Sequence, residues 1–143
     1  MDAGVVRDRA RVAFVAYAVA LAVVLLNPVA TLGSSAVTLM SDVAGSAGLP
    51  AWLVRWDRME VLLNIAALVP LSAIGMLAWP RLGWQDWTAY GFVLSVLVEA
   101  AQALVFALRS ATFVDVVANT AGACIGALSV VVCRRAVSAR RRS

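Results

Sequence analysis

Glu99, Gln102 and Arg109 fall at i, i+3 and i+10, so one helix face carries a carboxylate, a carboxamide and a guanidinium. Asp115 and Asn119 stand four apart and share the next face. Asn64 precedes Pro70, whose missing N–H leaves the carbonyl of Ala66 without its helical partner. These residues interrupt or border long apolar runs. In such runs polar and ionisable side chains are costly, face protein or a water-filled cavity, and mark functional pathways. Glu99 and Asp115 are the candidate acid/base groups. Arg109, with Arg58, offers forked donors to a phosphate or carboxylate. Asn64, Gln102 and Asn119 offer neutral hydrogen bonds, with Glu99 below them. The competing reading is packing: the carboxamides bond across helices and Arg109 pairs with Asp115 at the surface. With no histidine to hold zinc or activate a serine, neither a metal centre nor a cofactor is expected.

The elements that position these groups are legible from hydropathy. The 143 residues are 63% apolar and 14% charged, against roughly 45–50% and about 25% in an average globular domain. Four apolar runs are each long enough for a hydrocarbon core of about 30 Å, which takes about 20 helical residues. The expectation is an all-α integral membrane bundle, one domain over residues 1–143. Its four transmembrane helices fall near 11–29, 60–79, 87–108 and 113–133. The first run follows Arg7, Arg9 and Arg11 as a signal peptide would, but no small-x-small cleavage site is convincing, so it reads as an uncleaved span.

All twelve basic residues are arginine. Nine flank one side of the four spans, and Arg55, Arg58 and Arg109 flank the other. The positive-inside rule then places both termini in the cytoplasm of a multi-pass protein, in a bacterial cytoplasmic membrane. Arginines beside spans are not a nucleic-acid signature. Anionic inner-leaflet lipid suffices to hold the Arg140–Arg142 tail.

The first outer loop, roughly residues 31–60, is patterned. Ala36, Val37, Met40, Val43 and Ala44 recur at helical spacing, with Ser34 or Ser35 as cap and Gly45 as stop. Pro50 opens a second segment bearing Trp52 and Trp56. One or two short interfacial helices are expected there. Trp79, Trp84 and Trp87 read as an interfacial belt. The connection at about residues 110–112 is so short that helices three and four must be antiparallel neighbours. Ala118, Gly122 and Gly126 form a small-residue seam for a partner helix or a second copy of the chain. Cys124 and Cys133 lie about 13 Å apart along one helix, too far to bridge. With Glu60 and Arg109 at the outer surface, Asn64 lies ~6 Å down, Asn119 ~8 Å, Gln102 ~10 Å and Glu99 ~15 Å. The polar cluster therefore opens outward over an apolar inner half.

The run Leu62-Leu63-Asn64-Ile65-Ala66-Ala67-Leu68-Val69-Pro70-Leu71 resembles the N-x-x-x-F-x-P-L-G segment of the VanZ-like membrane family. Glu99 and Gln102, then Arg109, then Asp115 through Asn119-Thr120 to Gly122 and Gly126, resemble that family's E-x-x-Q, R and D-x-x-x-N-T-x-G-x-x-x-G pieces, in the same order. The resemblance spans about residues 12–133, with Ser72 where the family often has glycine. It implies a small bacterial membrane protein of the cell envelope. The family takes its name from an accessory protein of glycopeptide resistance associated with lowered teicoplanin susceptibility, and its biochemical activity is not settled.

Three functions fit these residues. The first is an outer-leaflet pocket binding a lipid, a lipid-linked wall component or a lipophilic glycopeptide-type antibiotic. The second is an enzyme acting on an envelope lipid through Glu99 and Asp115. The third is a small oligomeric transporter with a protonatable Glu99. The first is favoured because the polarity is confined to the outer half. Whether the protein is an enzyme stays open.

Overall fold

The computed structural model describes residues 3–25, 31–105 and 113–142. Every regular element among them is helical: α1 (Ala3–Leu25), α2 (Thr31–Ser46), α3 (Trp56–Ala78), α4 (Trp84–Val105) and α5 (Phe113–Arg140). Among the described residues three helices are long and apolar enough to cross a membrane: α3, α4 and α5. The first half of α1 carries Arg7, Asp8, Arg9 and Arg11. Its apolar part, Val12 to Leu25, is shorter than the roughly 20 residues of a full span, and the expected continuation to residue 29 lies outside the described residues. Large apolar side chains are exposed along α1, α4 and α5, including Val15, Val19, Phe92, Val96, Leu97, Ile125 and Val132. That arrangement suits lipid and not water.

α3 and α5 form the centre. They run parallel: Gly122 sits on the backbone of Ile65, Gly126 on that of Val69, and Arg134 reaches Met76. The small-residue seam of α5 is thus filled by α3 of the same chain. α4 packs antiparallel on α5, with Gly91 against Ala123 and Ser95 against Asn119. α1 packs antiparallel on α3, with Phe14 near Trp79 and the Tyr17 hydroxyl on the Ala67 carbonyl.

α3 continues through Pro70, with side-chain donors from α1 and from α3 itself near the proline. Tyr17 Oη donates to the carbonyl of Ala67 at 2.9 Å, and Ser72 Oγ lies 3.2 Å from the carbonyls of Leu68 and Val69. Side-chain donors and neighbouring helices make an interior proline tolerable in an apolar setting. The interhelical donor thus reaches Ala67, one residue past the expected Ala66 carbonyl.

Several boundaries differ from expectation, α1 beginning at Ala3 and not near residue 11, and α4 at Trp84 and not near residue 87. α2 runs past Gly45 and ends on Gly48 at φ 80°. Gly48 N–H donates to Gly45 and Leu49 N–H to Ala44, the paired bonds of a Schellman stop, so Gly48 supplies the left-handed residue. The Pro50 segment is a turn and not a second helix, closed by Leu53 N–H on the Pro50 carbonyl at 2.8 Å, and Trp56 begins α3 instead. α5 extends past Cys133 to Arg140, 28 residues, or about 42 Å. Arginine in the last turn suits the negative end of the helix dipole, and nothing between Cys133 and Arg140 breaks the helix. α2 covers the start of α3 through Val37, Ala44 and Met59.

Candidate functional site

The polar residues of α3, α4 and α5 meet in pairs. Asn64 Nδ2 donates to Asp115 Oδ1 at 2.6 Å, linking α3 to α5. Asn119 Nδ2 donates to Ser95 Oγ at 3.0 Å, linking α5 to α4, with both side chains buried. Gln102 Nε2 donates to the carbonyl of Leu25 at 2.7 Å, linking α4 to α1. Burial of these amides is therefore matched by partners, as buried polar groups require.

The α4–α5 register carries a consequence for the two carboxylates. Gly91 faces Ala123 and Ser95 faces Asn119, each step four residues along both helices in opposite directions. The next step sets Glu99 level with Asp115. Both are half-buried, and Asn64 reaches Asp115 from the third helix. Two carboxylates and a carboxamide are thereby held at one level of the bundle by three packed helices. Interhelical glycines make this possible: a Cβ on Gly122 would strike the Ile65 backbone, and one on Gly126 would strike the Val69 carbonyl and Ser72 Oγ.

The remaining expected residues are less gathered. Arg58 is exposed on the first turn of α3, its guanidinium 5.1 Å from the centre of the Trp52 ring. It stands nearly two helical turns before Asn64. Arg109 lies outside the described residues, so its expected pairing with Asp115 does too; the acceptor of the Asn64 bond is Asp115. Cys124 and Cys133 are both free thiols. Among the described residues no cluster of three or more His, Cys, Asp or Glu side chains is placed to hold a metal ion.

The order and spacing of the polar pieces carry over to a known family. The chain matches VanZ/LLP1 over residues 14–134. It belongs to the VanZ/LLP1 family. No curated protein and no solved structure matches it. Family membership suggests a bacterial envelope membrane protein, and three membrane-length helices agree with a multi-pass one.

In this VanZ/LLP1 protein, sequence reasoning missed Ser95, Tyr17 and Arg134. Ser95 was legible in principle, since it precedes Glu99 by one turn on the same face. Tyr17 and Arg134 carried no signal, because each bonds a backbone carbonyl more than 45 residues away. Trp87 departs from the expected interfacial role. It is 7% exposed, with its benzo ring lodged over Gly75 of α3 and near Phe14, Trp79 and Tyr90. A glycine opposite a tryptophan makes room for the ring, so Trp87 is core. Sequence reading also missed an apolar cavity of about 330 Å³ beside this cluster, lined by none of the polar candidates.

Proposed function

We propose that this VanZ/LLP1 protein captures a lipid, a lipid-linked wall component or a lipophilic glycopeptide-type antibiotic at the Glu99–Asp115–Asn64 level of the bundle. The observation that carries the reading is the α4–α5 register, which sets Glu99 level with Asp115 while Asn64 holds Asp115 from α3. Four spans with both termini in the cytoplasm put that level in the outer leaflet. α2 then lies along the outer surface over the start of α3. Arg58 and Arg109 are the rim cations for a phosphate or carboxylate. Asn119 and Gln102 serve the pocket by fixing α4 against α5 and α1.

The experiment is thermal unfolding of the full chain in maltoside micelles, with undecaprenyl pyrophosphate, phosphatidylglycerol or teicoplanin added singly. One of these raises the unfolding temperature of the wild type, and the rise disappears in Glu99→Ala and Arg109→Ala while both variants keep native helicity. Equal stabilisation of wild type and both variants by every probe removes the reading.

The same register favours a second reading, in which Glu99 and Asp115 are an acid/base pair acting on an envelope lipid. Turnover of a purified envelope lipid, lost in Glu99→Gln, distinguishes it from capture alone.

A further inference from the structure

α2 meets the bundle along one ridge. Val37 and Ala44 are buried with Met59 of the first turn of α3, and Val54 and Leu63 pack around them. Val37 and Ala44 stand seven residues apart and share one side of α2. α3 is 23 residues long, or about 35 Å against a hydrocarbon core of about 30 Å. Its first turn therefore lies at the lipid–water boundary, and so does the helix that rests on it. Trp52 and Trp56, both exposed, stand just before and at the start of α3. Tryptophan is enriched at that boundary.

The rest of α2 divides into two stripes. Ala36, Leu39, Met40 and Val43 fall at i, i+3, i+4 and i+7, one apolar stripe. All four are exposed, Leu39 to 63% and Val43 to 52%. Ser35, Thr38, Asp42 and Ser46 are exposed on a different stripe. At 3.6 residues per turn the two stripes flank the buried ridge on opposite sides, each roughly a third of a turn from it. A helix fixed by one side at the boundary keeps one side for hydrocarbon and one for water. The apolar and polar stripes match those two directions. Asp42 is the one charged residue of α2 and belongs to the polar stripe, so sinking the apolar stripe desolvates no charge.

We propose that the Ala36–Leu39–Met40–Val43 stripe of α2 is seated in the lipid surface around the bundle, about 5–10 Å into the boundary between headgroups and acyl chains. The partner is the membrane itself, continuous with the lipid that the membrane-length α3 crosses. Apolar burial holds the seat, not charge. The leaflet rests on the orientation proposed above; the seat does not. Asn64 directly follows Leu63 on α3, so the seat also steadies the end of the helix that carries the Asn64–Asp115 bond.

The test is electron paramagnetic resonance of nitroxide labels on the full chain in phosphatidylcholine vesicles, in a Cys124→Ala, Cys133→Ala background. Labels are introduced singly by Leu39→Cys, Met40→Cys and Val43→Cys on one stripe and by Thr38→Cys, Asp42→Cys and Ser46→Cys on the other. On the apolar stripe, collisions with dissolved oxygen exceed those with a water-soluble nickel chelate severalfold, and the polar stripe shows the reverse. Adding phosphatidylglycerol to the vesicles leaves the pattern unchanged. Nickel-dominated collisions at all six sites overturn the proposal, because α2 then stands clear in water. Exclusion of both reagents from Leu39 and Val43 also overturns it. Spin–spin broadening would then assign the stripe to a second copy of the chain, and its absence to another part of the same chain. A pattern that appears only with phosphatidylglycerol overturns the apolar basis of the seat. Three labels on each stripe keep the test standing if one variant misfolds. The labels report the seat with no ligand present, so failure here and failure of the polar-level reading are separable.

Discussion

Asn64 on α3 donates to Asp115 on α5 at 2.6 Å, tying together the two central helices at the level where Glu99 arrives from α4. A hydrogen bond to a carboxylate is stronger than one between neutral groups, and here it also sets where the carboxylate stands. Positioning and stability are therefore coupled at this pair, and substitutions separate them.

Asp115→Asn keeps an oxygen to accept from Asn64 and removes the charge. It is expected to lower stability by less than about 1 kcal/mol, while abolishing ligand-dependent stabilisation. Asn64→Leu removes the donor and is expected to cost about 1–3 kcal/mol, because a half-buried carboxylate loses a partner. Chemical unfolding in mixed micelles reads both values. If Asp115→Asn proves the more damaging of the two to the unliganded protein, the bond has been misjudged.

Gly126→Ala places a methyl group against the Val69 carbonyl and Ser72 Oγ, in a seam where the opposing atoms are mostly backbone and cannot turn aside. Overpacking of this kind costs about 1–3 kcal/mol. Gly45→Ala meets only Val54 Cγ1 at 3.8 Å and stands in α2, so it is expected to be neutral or stabilising. A thermal-melt comparison of the two decides whether close α3–α5 approach holds the bundle together.

Ser95→Ala, Asn119→Leu and the double substitution form a cycle across α4 and α5. Interhelical hydrogen bonds in membrane proteins average about 0.6 kcal/mol and reach about 1.7. A coupling within that range is expected. Additive losses would mean that the two side chains act on separate partners.

Arg134 donates to the Met76 carbonyl at 2.7 Å, in the last turn of α3, where carbonyls lack helical donors. Arg135, the next residue on α5, is exposed. Arg134→Gln is expected to cost about 1 kcal/mol, and Arg135→Gln close to nothing. Hydrogen exchange at the end of α3 provides the readout: faster exchange should follow the first substitution and spare the second.

Much of the architecture was readable from local pattern. Helix type and the three membrane-length segments follow from apolar runs that only a helix can satisfy in hydrocarbon. The antiparallel pairing of α4 with α5 follows from a connection too short for any other arrangement. Local signals were weaker at ends. The Gly48 stop of α2, and the Arg140 end of α5, depend on which of several permissive residues the packing selects.

The sequence by itself determined that a carboxylate face on one helix and an Asp–Asn face on the next sit within apolar surroundings, and that glycines on α5 invite a close neighbour. Spacing along a helix is a property of the chain alone, so these statements needed no fold. Only the tertiary structure decided that the neighbour is α3 running parallel, that Gln102 bonds the Leu25 carbonyl of α1, that Asn119 meets Ser95, and that Trp87 leaves the interface for a slot above Gly75. Each depends on the register between helices distant in sequence, and register is set by the summed fit of many side chains. The cavity between α1 and α4 is the extreme case. No residue encodes it, because it is the space left where two outer helices each choose a central partner over one another.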